Sequence, residues 1–71
     1  MENKIIGWLA RDADDRLFLY ETDPYKSSRR EKWYEDTEYK APRLLDSNLF
    51  PEVKWEDKKP TKVELTINIV E

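Results

Sequence analysis

Val63-Glu64-Leu65-Thr66-Ile67-Asn68-Ile69 is the stretch that decides the fold. Val63, Leu65, Ile67 and Ile69 occupy alternate positions, with Lys62, Glu64, Thr66 and Asn68 between them. A period of two sends successive side chains to opposite faces, so the segment reads as a β-strand with one dry and one wet face. Pro60 stands just before it, and proline is tolerated at the start of a strand but not within a ladder.

A strand with one dry face needs a sheet to join, and the opening residues supply one. Lys4 to Arg11 is a β-branched and aromatic run, Asp12-Ala13-Asp14-Asp15 carries turn chemistry, and Arg16 to Glu21 is a second run, so the start reads as a β-hairpin. On the return strand Leu17 and Leu19 point one way while Phe18 and Tyr20 point the other. Both faces are therefore apolar, which places this strand inside a sheet with something covering its second face.

Between these ends the pattern is less regular. Asp23-Pro24 and Ser27-Ser28 are turn signals. Glu31 to Glu35 and Glu38 to Ala41 read either as two short strands joined at Asp36-Thr37 or as loop. Leu44 to Phe50 reads as one helical turn that Pro51 stops, and its leucines with Phe50 are the expected cover for the hairpin's second face. Glu56-Asp57-Lys58-Lys59-Pro60 reads as a charged loop.

Composition bounds the function. The 71 residues hold no Cys, no His and one Gly, which removes disulfides, zinc fingers, Ser-His or Cys-His catalysis and glycine-rich phosphate loops. A chain this size is one domain, and one near 60 residues buries only about 60% of its unfolded surface. Stability must then come from an aromatic core, with Trp8, Trp33 and Trp55 as its natural members, or from association. The apolar run Ile5-Ile6-Gly7-Trp8-Leu9-Ala10 is too short for a signal peptide, and no segment approaches the ~20 apolar residues of a membrane span. The expectation is a soluble, cytoplasmic protein with no membrane partner and no cofactor.

Candidate chemistry is sparse. Tyr25, Lys26, Arg29, Arg30, Lys32, Trp33 and Tyr34 place cations beside stacking rings, as a single-stranded nucleic-acid groove does. A pI near 5.0 opposes this, since nucleic-acid modules usually exceed about 9, and a solvated loop is the plainer reading. Asp12, Asp14 and Asp15 begin like a calcium loop, but Arg16 and Leu17 fall where an oxygen ligand and a glycine are required. Glu52, Glu56 and Asp57 flank Trp55, a setting able to raise a carboxyl pKa, yet acids this abundant single out no catalytic pair. A net charge of −3 is also far from the charge density of a DNA mimic.

A protein-binding surface remains. If the terminal strand is a sheet edge, its unpaired backbone groups accept another strand, including that of a second copy; Lys62, Glu64, Thr66 and Asn68 would then mark the interface. If it is central, both its sides are satisfied within the chain. The sequence leaves both open.

Trp8-Leu9-Ala10-Arg11-Asp12 with Leu17-Phe18-Leu19-Tyr20, and Asn48-Leu49-Phe50-Pro51-Glu52-Val53-Lys54-Trp55-Glu56-Asp57 with Pro60 and Val63-Glu64, resemble a family of small uncharacterised proteins from gut bacteria and their phages. The resemblance covers roughly half the chain and carries no activity and no catalytic residue. It implies a compact cytoplasmic β-rich domain of unknown or phage-related role; a phage-encoded chain is expected to act on a host protein. Such sequences often place Gly at the hairpin turn where this one has Asp15, which implies a longer loop here than a two-residue primed turn.

These readings converge on a mainly β fold, small α+β at most. The expected architecture is one antiparallel sheet of four to five strands across residues 1–71, with a helical turn over one face. The expected function is a non-enzymatic interaction module whose partner is another protein. A single-stranded nucleic-acid binder using residues 25–34 is the alternative, and an enzyme ranks third.

Overall fold

A computed structural model describes residues 2–35 and 41–68, with side chains from 3 to 35 and from 41 to 66. Six strands follow in chain order: β1 (Glu2–Arg11), β2 (Leu17–Tyr20), β3 (Tyr25–Ser27), β4 (Lys32–Tyr34), β5 (Arg43–Leu45) and β6 (Thr61–Asn68). One antiparallel sheet has the order β5-β2-β1-β6, and β3 and β4 form a separate hairpin. Strand β6 runs the length of β1, from Glu2 opposite Asn68 to Leu9 opposite Thr61. The period-two reading of the terminal strand and the two-sided reading of β2 both hold, because β2 lies between β5 and β1. Ile69 lies outside the described residues.

Register sorts side chains onto two faces. Residues opposite one another share a face, so Leu9, Arg11, Leu17, Leu19, Leu45 and Val63 fall on one, and Trp8, Ala10, Phe18, Tyr20 and Leu44 on the other. Leu9 and Leu17 bury themselves against Val53, which the 46–60 loop lays over the first face. Ala10 and Tyr20 bury themselves against Trp33 of β4, with Trp8, Phe18 and Trp55 around them.

Two sequence expectations change. Arg43–Leu45 is a strand rather than the start of a helical turn, and no helix occurs among the described residues. Pro42 biases Ala41 toward extended backbone, a single isolated turn bounded by Pro51 is costly to nucleate, and the free side of β2 offers immediate backbone partners. The 44–50 segment is correspondingly not the cover: Leu44, Leu49 and Phe50 are exposed, and Val53 and Trp33 do the covering. In addition, β4 has a partner that the sequence reading does not supply: β3, with Tyr34 opposite Tyr25. Of the pairing with 38–41, residues 36–40 lie outside the described residues, and Ala41 lies outside any strand.

One dipeptide ties both covers to the sheet. The buried Arg11 guanidinium donates to the carbonyls of Val53 (Nε, 2.7 Å), Asp15 and Ser47 (Nη1, 3.0 Å each), Leu49 (Nη2, 2.9 Å) and Phe50 (Nη2, 3.3 Å). On the opposite face Trp33 donates its indole N–H to the Arg11 carbonyl at 3.0 Å and its backbone N–H to Asp12 Oδ1 at 2.9 Å. The Tyr20 hydroxyl donates to the Trp33 carbonyl at 3.3 Å. A chain without disulfides thus cross-links its loops through hydrogen bonds, most of them with the Arg11 guanidinium or the Asp12 carboxylate as a charged partner, the stronger class. The turn between β1 and β2 is the longer loop expected, with Asp15 at φ 75° carrying the left-handed step.

Candidate functional site

The β3–β4 hairpin divides the basic-aromatic segment between its two faces. Tyr25 is opposite Tyr34 and Ser27 opposite Lys32, so these four face outward, while Lys26 and Trp33 face the sheet. Trp33 is 5% exposed and belongs to the core. Lys26 is also committed: its Nζ lies 4.1 Å from the Trp55 ring centre and 5.7 Å from that of Trp33. It donates to the Trp55 carbonyl and, at 3.0 Å, to that of Asp57. Two of the seven candidates therefore hold the fold together.

The other five form an outer surface. The Tyr25 and Tyr34 rings stack with centres 6.1 Å apart and planes 26° from parallel. Tyr25 is exposed and Tyr34 half-buried. Arg29, Arg30 and Lys32 are exposed at and beside the turn, where Ser27 Oγ accepts from the Arg30 backbone N–H. Sequence spacing missed what the fold adds here. Trp8, Lys58, Lys59 and Pro60 meet Tyr25 and Trp33 around an open cleft of about 580 Å³. The only local signal is the Lys58-Lys59 pair, and Trp8, Tyr25 and Trp33, which it meets in space, lie more than 20 residues away in sequence.

Acidic residues are largely structural. Asp14 Oδ1 accepts from the Arg16 backbone N–H, which makes an Asx-type turn. Asp57 Oδ2 accepts from the Lys54 backbone N–H. No group of three or more metal-ligating side chains converges among the described residues. Asp12 is the distinctive acid: burial raises its carboxyl above the usual value of 3.8, the Trp33 N–H opposes that shift, and the neighbouring Asp14 adds to it. It lines a cleft of about 300 Å³ with Arg11, Trp55 and Glu56. Burial likewise raises the Tyr20 phenol.

The second candidate surface is the outer side of β6, an edge of the four-stranded sheet. Lys62, Glu64 and Thr66 are exposed on its wet face, and the Asn68 backbone pairs with Glu2 while its side chain lies outside those described. Lys4 Nζ lies 3.4 Å from Glu64 Oε1 across the β1–β6 pair. Val63 and Leu65 are half-buried on the dry face. Ile5, opposite Leu65, remains 43% exposed beside an apolar cleft of about 200 Å³.

No helix among the described residues is long and apolar enough to cross a membrane. Compared with known family models, curated proteins and solved structures, the chain matches none.

Proposed function

We propose that this is a non-enzymatic interaction module of the cytoplasm that binds another protein chain by strand addition along the outer side of β6. The observation that carries this reading is the contrast between the two sheet edges. Strand β5 is only three residues long, and so short an edge offers little to a stray strand. Strand β6 is eight residues long and pairs with β1 in unbroken register, without proline or bulge. Its described dry-face residues, Val63 and Leu65, carry no charge, so only Lys62 and Glu64 on the wet face guard part of this edge against a stray strand. Every second residue therefore presents its N–H and C=O outward, the template that strand addition uses. The resemblance to phage and gut-bacterial sequences makes a host protein one partner class to search.

The test is site-specific photocrosslinking with a benzophenone amino acid placed at Thr66 on β6 or, as control, at Leu44 on β5. Capture of a protein chain at position 66 and not at 44 is expected. Equal capture at both positions, or none at 66, overturns the reading.

A second reading, binding of single-stranded nucleic acid, draws on the cleft that gathers Lys58, Lys59 and Trp8 beside the exposed Tyr25. Cations flanking an accessible ring suit a phosphate backbone and stacked bases. Affinity for a labelled oligonucleotide falling steeply with salt supports it, and no binding at low salt removes it. Enzymatic turnover ranks below both, because Asp12, the acid shifted by burial, is committed to the Trp33 N–H.

A further inference from the structure

We infer that the strand received by β6 is β6 of a second copy, so that a two-fold dimer doubles the four-stranded sheet. The inference rests on the strand-addition reading above and names its partner. A two-fold axis pairs a strand with its copy antiparallel, and the dry faces stay together only when one residue lies opposite itself. Few registers satisfy this. Centring on Glu64 sets its carboxylate against its own copy, which like charges disfavour. Centring on Val63 or on Thr66 overlaps only part of the strand.

Centring on Leu65 meets every requirement. Leu65 lies opposite itself, Val63 opposite Ile67, Glu64 opposite Thr66 and Lys62 opposite Asn68, so apolar positions meet apolar ones and no like charges meet. Ile5 is opposite Leu65 within each copy. The row across the axis therefore reads Ile5, Leu65, Leu65, Ile5, and it unites the partly exposed apolar surface beside the 200 Å³ cleft of each copy. Glu64 enters this interface already partnered by Lys4 of its own copy. A small domain with a slender core gains most from such an extension.

Sedimentation equilibrium of the full chain from micromolar to millimolar concentration tests the dimer. The mass is expected to rise from 8.6 kDa toward twice that value. Thr66→Glu sets a second carboxylate opposite Glu64 at two symmetric places, at an exposed position that faces Lys4 in its own copy, so folding is preserved. It should weaken the dimer about 2- to 30-fold, and Thr66→Lys should strengthen it by a similar factor. A constant monomer mass, or both substitutions shifting association in one direction, overturns the inference. The crosslink from position 66 separates this failure from that of strand addition itself. Capture of a second copy supports both, capture of only a different protein overturns the dimer alone, and capture of nothing overturns both.

Discussion

Arg11 Nε donates to the carbonyl of Val53 at 2.7 Å, across 42 residues of sequence, and both residues are buried. The contact closes the 46–60 loop over the Leu9 and Leu17 side chains. It also explains why an arginine sits on the dry face of β1. Four further loop and turn carbonyls converge on the same guanidinium, so the charge is neither bare nor unpaired.

Arg11→Met keeps the apolar stem and removes the donors. Hydrogen bonds to charged groups are worth about 1.5–3 kcal/mol each, but the partly buried carbonyls of Asp15, Ser47, Leu49 and Phe50 regain water, which leaves the buried Val53 carbonyl as the one without a partner. A loss of about 3 kcal/mol is expected, measured as a lower urea midpoint. Arg11→Lys recovers only part of it, since a single ammonium cannot reproduce the planar fork. An unchanged midpoint for Arg11→Met shows that the loop closes without this residue.

Asp12 separates its two roles by substitution. Asp12→Ala leaves the buried Trp33 N–H without an acceptor and should cost about 1–3 kcal/mol. Asp12→Asn keeps an acceptor oxygen and removes the buried charge. Because the folded-state pKa is raised, the native state favours the protonated acid: the stabilisation is complete below pH 3.8 and fades as pH rises through the raised value. Urea titrations below pH 3.8 and at pH 7 should therefore show the asparagine variant gaining on the natural chain as pH rises. A difference independent of pH contradicts the assignment.

Sequence groups Lys26 with cations for a ligand, yet it bridges the hairpin to the 55–57 loop. Lys26→Met should lower stability by about 1–2 kcal/mol and alter tryptophan fluorescence, because its ammonium lies over the Trp55 ring. Replacing Arg29 and Arg30 together by alanine should leave stability within about 0.5 kcal/mol, as usual for exposed positions. Equal effects from both changes refute this division of the segment.

What was legible in the sequence follows from the range of the forces involved. Strands β1, β2 and β6 could be read because a half-buried sheet imposes alternation residue by residue, as Val63 and Leu65 against Glu64 and Thr66 display. Three-residue strands have too few residues for a pattern. Trp33 joins Tyr25–Ser27 because its indole must reach the Arg11 carbonyl, a tertiary demand invisible along the chain. Leu44 is extended because β2 has a free side, again a non-local cause. The edge position of β6 needed the whole strand order, and the arrival of Lys58 and Lys59 beside Tyr25 needed the path of the 46–60 loop.

Gly7 is required by space rather than by backbone angle. A Cβ there would lie 3.1 Å from Leu19 Cδ1 and 3.2 Å from the Tyr20 carbonyl oxygen, and the second is backbone that cannot step aside cheaply. Gly7→Ala should cost about 1–3 kcal/mol by overpacking, visible as a lower thermal midpoint. A stabilised variant refutes the close approach of β1 and β2.

Residue-resolved amide hydrogen exchange along β6, in dilute and in concentrated solution, tests the central claim that this strand closes the core on one side and receives a chain on the other. In dilute solution alternate amides between Thr61 and Asn68 should be protected by β1, with the intervening ones exchanging freely and gaining protection as concentration rises. Uniformly fast exchange, or outward amides left unprotected at every concentration, contradicts it.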